Sequence, residues 1–238
     1  MTIAIGINLE EFILLAADTR TTEYDFLGNT IRFYDESEKI KKTKIGLMTG
    51  AGNLALLEAV KERFAEKEAL DTNEILKIIE EVRLYYINLF DFYNLVQYNK
   101  ILHSTGWIFT YLTMINNNPI LRLAIYHPSL GSGIGLYSER QPAAIFPHEA
   151  SKQEAEELSK VLEEIVKPYN EFKDFSACIE YYLKCIGTFI NSIHPRYPSV
   201  SSSCQFGIHK LEGVYISPII KPQEATKLNI SFTYEEKD

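Results

Sequence analysis

The sequence predicts an α+β fold, and three observations carry that reading. Short apolar runs rich in β-branched residues open the chain, recur at its centre and return near its end. Two blocks with apolar residues at helical spacing lie between those runs, and cap or turn residues mark the changes of period. The resulting order is strands, two helices, strands, two helices, strands, with no internal repeat or low-complexity tract.

The first two strands are Ile3-Ala4-Ile5-Gly6-Ile7 and Phe12-Ile13-Leu14-Leu15-Ala16-Ala17, a hairpin joined at Asn8-Leu9-Glu10-Glu11. A polar stretch containing Thr21, Thr22, Gly28 and Asn29 then leads to Thr30-Ile31-Arg32-Phe33-Tyr34, read as a second hairpin or an extended loop. The cations Lys41, Lys42 and Lys44 read as a solvated face ahead of the strand Ile45-Gly46-Leu47-Met48-Thr49-Gly50. Leu54, Leu57, Val60 and Phe64 predict a first helix. A second starts at Asp71-Thr72-Asn73 and runs through Ile75, Ile79 and Val82 toward Tyr98, its wide apolar coverage fitting a helix packed on two sides. Residues 107–115 and 120–126, around an Asn116-Asn117-Asn118-Pro119 turn, predict a central hairpin. Shorter strands follow near 134–137 and 143–146, then helices over 152–166 and 175–193, then strands at 206–209 and 214–216. The alternation of Leu228, Ile230, Phe232 and Tyr234 adds a candidate last strand.

With 238 residues, 46% of them hydrophobic, and no Pro/Gly/Ser-rich linker, the chain is expected to form a single domain over 1–238. Its formal charge of −8 is spread along the sequence, with basic residues beside carboxylates, which argues against a nucleic-acid partner. Three irregularly spaced cysteines suit neither a disulfide framework nor a zinc site, so a reducing cytoplasm, no metal and no cofactor are expected. No leader and no apolar run of spanning length is present, and no membrane association is expected.

A strand starting at residue 3 fixes residue 2 in space, and residue 2 is a threonine. Loss of the initiator methionine would leave a hydroxyl and a free α-amine on that residue. An α-amine titrates near 7.7–8.0 in its ordinary state, so it can take a proton near neutral pH and activate the neighbouring hydroxyl. Many proteins begin Met-Thr before a strand, and spacing alone favours that plain reading. Thr2-Ile3-Ala4-Ile5-Gly6-Ile7 followed by Leu14-Leu15-Ala16-Ala17-Asp18-Thr19-Arg20, however, resembles the start of proteasome β-type subunits and HslV peptidases, of the N-terminal-nucleophile hydrolase superfamily.

The resemblance implies a four-layer αββα sandwich, with Thr2 as nucleophile and Asp18 as the active-site aspartate. It implies that Lys39, in Lys39-Ile40, supplies the ammonium that eases ionisation of the threonine. Thr21 and Thr22 match the segment that binds an extended peptide, and an N–H at Thr49 or Gly50 matches the oxyanion donor. Leu47 falls where the first specificity pocket forms, implying an apolar preference. Ring assembly as a homo-oligomer and a peptide or unfolded-protein substrate are implied as well, with an ATPase unfoldase partner left open. For Thr21, Thr22 and the glycines, ordinary turns and strand-to-helix punctuation account for the same residues.

The similarity thins after about residue 60 and breaks at two places. A serine that supports the threonine amine in the resembled proteins is replaced at Ala144-Ile145-Phe146-Pro147-His148, where Pro147 has no hydroxyl and His148 is the polar residue at hand. Counting back from Ile208-His209 puts the later active-site serine at Ser199 and an arginine, Arg196, where an aspartate is usual. The sequence therefore favours a threonine-type amide hydrolase acting on peptides. A silent scaffold subunit, and a transpeptidase or small-amide hydrolase with the same nucleophile, are the alternatives.

Overall fold

The computed structural model describes residues 2–24, 30–66, 71–90 and 102–221. In chain order the elements are β1 (Ala4–Asn8), β2 (Ile13–Asp18), β3 (Thr21–Tyr24), β4 (Thr30–Tyr34), β5 (Lys41–Lys42), β6 (Leu47–Ala51), α1 (Leu54–Glu66) and α2 (Thr72–Phe90). They continue as β7 (Gly106–Ile115), β8 (Asn118–Tyr126), β9 (Gly135–Tyr137), β10 (Pro142–Ile145), α3 (Lys152–Ile165), α4 (Phe175–Ile193), β11 (Cys204–Lys210) and β12 (Gly213–Ile216).

One antiparallel sheet runs β10-β1-β2-β11-β12 and the other β5-β6-β7-β8-β9, with β3 and β4 paired apart from both. Side-chain direction along β1 and β2 explains how the layers stack. Ile3, Ile5 and Ile7, with Leu14 and Ala16, face a core shared with Tyr182, Ile186 and Ile190 of α4. Ala4, Ile13, Leu15 and Ala17 face the other way, onto Leu47, Ile108 and Leu123 of the second sheet. That sheet's opposite face packs Met48, Trp107 and Phe109 against Leu57, Val60 and Ile79 of α1 and α2. The order of layers is thus helices, sheet, sheet, helices: the four-layer αββα sandwich. Both faces of β1 and β2 are buried, which is why their sequences read as unbroken apolar runs.

Small residues on the inner face let the sheets approach. A methyl at Gly6 would stand 2.7 Å from Leu123 Cδ1 and 3.0 Å from Ile108 Cγ2, closer than carbon atoms pack. Side chains cap the helices: at the expected start of α2 Asp71 Oδ1 accepts from Asn73 N and Glu74 N, and on α3 Ser151 and Glu154 form a reciprocal capping box.

Three elements differ from the sequence reading. The turn between β7 and β8 is tighter than Asn116–Pro119, because Asn116 and Asn117 adopt φ of 51° and 64°, suiting a two-residue hairpin turn and leaving Pro119 in the ladder opposite Met114. Lys41 and Lys42 are half-buried and exposed respectively, yet they form a short strand against Met48 and Leu47. The strand after them runs to Ala51, one residue past Gly50. The continuation of α2 toward Tyr98 and the candidate strand over 228–234 lie outside the described residues. Among the described residues no helix is long and apolar enough to cross a membrane.

Candidate active site

The start of β1 and the end of β2 meet at Asp18, which is fully buried. Its Oδ1 accepts from Ile3 N at 2.9 Å, and its Oδ2 accepts from Arg20 N at 2.9 Å and Ser201 N at 2.8 Å. The carboxylate therefore fixes the residue next to Thr2, the start of the polar stretch after β2, and the loop before β11. Burial pushes its pKa up to about 6, against the hydrogen bonds from Ser201 and Arg20, the charge of Lys39 and the bond from Ile3. At neutral pH it is mainly ionised.

Thr2 is buried, 3% exposed, and its Oγ1 donates a long 3.5 Å bond to Arg20 O. Lys39 is 7% exposed, and its Nζ donates to Thr21 Oγ1 at 2.8 Å. Burial pushes Lys39 down to about 8, with the charge of Asp18 working in the opposite direction. Thr21 and Lys39 together line an open cleft of about 640 Å³ whose walls include Tyr34, Asp35, Ser37 and Leu54. Thr2, Asp18, Thr21 and Lys39 thus cluster at one end of the sandwich.

The other expected residues sit differently. Thr49 and Gly50 lie inside β6, opposite Ile108 and Trp107, rather than in a turn, which comes at Gly52. A methyl on Gly50 would stand 2.5 Å from Gly106 O and 2.7 Å from Leu57 Cδ2, so packing alone already demands a glycine there. Thr49 is fully buried with no hydrogen-bond partner for its hydroxyl, and the Thr22 hydroxyl likewise has none, among the described residues. Leu47 is fully buried between the sheets, against the Gly207 backbone, and does not line the cleft.

Ser199 is 2% exposed, and its hydroxyl makes no well-formed hydrogen bond among the described residues. It lies close enough to the Glu149 carboxylate to help lower that group's pKa. Ser201, two residues beyond Ser199, makes the contacts with Asp18 and Thr19. Besides its N–H on Asp18, its Oγ accepts from Thr19 N at 3.0 Å, lies 3.0 Å from Thr19 Oγ1 and donates to Ser203 O at 2.8 Å. A two-residue slip separates the count from the contact, and the run Ser201-Ser202-Ser203 was the available signal. Arg196 is exposed and its charge bears on Glu154, so the reversed charge does not face Asp18.

Two further residues shape the site. Gln205, 2% exposed on β11, accepts on Oε1 from Lys39 N at 2.9 Å and Ile40 N at 3.0 Å, setting the backbone that carries Lys39. Arg20 makes paired bonds of 2.5 and 2.7 Å to Asp35 and donates to Pro198 O at 2.6 Å, tying the cleft wall to the Ser199–Ser201 loop. Neither role was readable from the sequence, since both partners are remote in the chain.

Neither family models nor curated proteins match this sequence. Among solved structures the fold is similar to Anbu from Hyphomicrobium sp. strain MC1. A Gly-1 mutant of Anbu matches with a TM-score of 0.61 at 15% identity, covering 95% of this chain and 92% of that one. A second Anbu structure gives 0.59 at 15% identity, over 94% and 92%. At that identity the likeness reaches the fold alone. The expectation that the opening motif places the chain among proteasome β-type or HslV subunits is therefore corrected: the structural relation is distant and family membership is not established. The chain has the four-layer αββα sandwich fold, similar to that of the Anbu structures.

Proposed function

We propose that the chain, once Thr2 becomes its first residue, is a threonine-type hydrolase of peptide amide bonds, with 1–238 acting as one domain. The observation that carries this reading is the bond from Ile3 N to Asp18. It pins the residue adjoining Thr2 beside a buried carboxylate, next to a cleft lined by Lys39 and Thr21.

In the proposed reaction the free α-amine takes the proton of Thr2 Oγ1 as the oxygen adds to the substrate carbonyl. The resulting oxyanion is held by an N–H at Thr49 or Gly50. Collapse breaks the C–N bond, the ammonium returns its proton to the leaving amine, and the acyl group stays on Thr2. Water, deprotonated by the same amine, releases the acid and restores the hydroxyl. Lys39 lowers the cost of negative charge at Thr2, and its bond to Thr21 keeps it at the cleft. Thr21 and Thr22 bind the extended peptide, and Leu47 acts on selectivity only through packing. A homo-oligomeric ring in the cytoplasm, with or without an ATPase unfoldase, completes the proposal.

The deciding experiment is covalent labelling by a threonine-reactive electrophile. The parent chain starting at Thr2 should gain one adduct, and Thr2→Ala, folded equally well, should gain none; equal labelling of both refutes the assignment. A silent scaffold is the second reading, favoured by one observation. Lys39 Nζ is engaged with Thr21, and Thr2 Oγ1 turns to Arg20 O. An intact mass that retains Met1 in the working protein would select it.

A further inference from the structure

Strand alternation fixes where the nitrogen of Thr2 points. Ala4 pairs with Ala17 on one side and Ile145 on the other. Toward β2 the pattern continues, because Ile3 N donates to Asp18 Oδ1 and Ile3 O accepts from Asp18 N at 3.2 Å. In a strand the next residue directs its N–H and C=O to the opposite neighbour. The nitrogen of Thr2 is therefore directed toward the chain that follows β10. Extending that register by two residues sets Thr2 opposite Pro147, which has no N–H and ends the ladder.

The chain turns at that point, with Ala150 N donating to Pro147 O at 3.0 Å, and His148 and Glu149 form the turn that the extended register sets on the β10 side of Thr2. His148 Nδ1 stands 3.0 Å from Glu149 Oε2. Ser199, buried and without a well-formed hydrogen bond, approaches the same carboxylate. Burial works to raise the Glu149 pKa, but the proximity of His148, the Ser199 hydroxyl and its own N–H holds it at about 2, so it is negative throughout the working range.

We propose that the Glu149 carboxylate, held by His148 and flanked by the Ser199 hydroxyl, receives the α-ammonium of a chain that begins at Thr2. It takes the place of the hydroxyl absent at Pro147 and the carboxylate absent at Arg196. Glu149 is a positioning residue: it orients the nitrogen and raises its basicity without touching substrate. The other charged or titratable groups on the packed elements are Asp18 and Arg20 at the end of β2, and Lys39; at the loop before β11 Tyr197 approaches Glu154 and Glu149, while Arg196 is exposed and bears on Glu154. The inference rests on Thr2 being the first residue, but not on its catalysing a reaction.

The test uses the full chain released with Thr2 first by cleavage of a fusion. Its α-amine is acetylated with dilute N-hydroxysuccinimidyl acetate from pH 5 to 9, and modification at Thr2 is read by mass spectrometry. The midpoint of the pH profile is expected above the ordinary range of about 7.7–8.0. Glu149→Gln should lower it by about one unit, since a neighbouring carboxylate favours the ammonium. Glu149→Asp should shift it in the same direction by less, and keeps the test open if the glutamine variant misfolds. Arg196→Glu, directed to solvent, should leave it in place. Equal midpoints in the parent and a folded Glu149 variant would overturn the inference. Electrophile labelling of Thr2 Oγ1 is scored separately: a moved midpoint without labelling keeps the ammonium site and refutes the hydrolase, and labelling with a fixed midpoint does the reverse.

Discussion

Asp18 and His209 give the residue scale its sharpest consequence, because burial moves them in opposite directions. His209 lies between the sheets with Nδ1 2.7 Å from Thr110 Oγ1, which also accepts from Leu47 N at 2.9 Å. Burial pushes it down to about 4. Its folded pKa lies below the unfolded one, so the unfolded chain binds more protons between about 4 and 6.5 and stability falls as pH drops through that window. Asp18, raised to about 6, does the opposite: the folded state binds more protons between about 4 and 6, and stability falls as pH rises there. The two slopes offset one another. His209→Gln should expose a stability that declines from about pH 4 to 6, and Asp18→Asn one that climbs over the same interval, both measured by denaturant titration at stepped pH. Asp18→Asn also forfeits an acceptor for one of three buried N–H groups, so at pH 7 it should lose about 1–3 kcal/mol and all electrophile labelling at Thr2.

Elements meet through small residues and short ties, and these set the next predictions. Gly6→Ala drives a methyl against Leu123 and Ile108, and the sheets must separate locally; about 1–3 kcal/mol should be lost in chemical denaturation. Ser151→Ala removes one half of the capping box on α3 and should cost about 1 kcal/mol, with helix content otherwise kept. Arg20 joins β2, the wall of the cleft at Asp35 and the loop at Pro198. Lysine cannot reproduce that fork, so Arg20→Lys should raise KM for peptides more than it lowers kcat, as the cleft wall loses its hold. Equal falls in both Tm and kcat with KM unchanged would assign Arg20 to stability alone.

At the scale of the molecule, two sheets sandwiched between helix pairs bury β1 and β2 on both faces, and the chain leaving β2 continues to Thr21, which lines the cleft. Asp18 there ties the residue beside Thr2 to the end of β2 and the loop before β11. If the proposed ring forms, sedimentation should give a particle several times the mass of one chain, and a monomer at working concentration would remove it.

The sequence alone determined the element order, because periodicity and caps are local: the unbroken apolar runs of β1 and β2, the spacing in α1, the cap at Asp71. It also placed Thr2 near Asp18, since residues 2 and 18 are joined through a hairpin whose register their own pattern fixes, whereas Lys39 joined them only through the resemblance. Only the tertiary structure decided that Ser201 rather than Ser199 binds Asp18, that Gln205 sets Lys39, and that Leu47 is core. Those contacts join residues from about 100 to 180 positions apart or hang on a two-residue shift in a loop. Nothing in local spacing records them, because they are set by how strands from different parts of the chain align across a sheet.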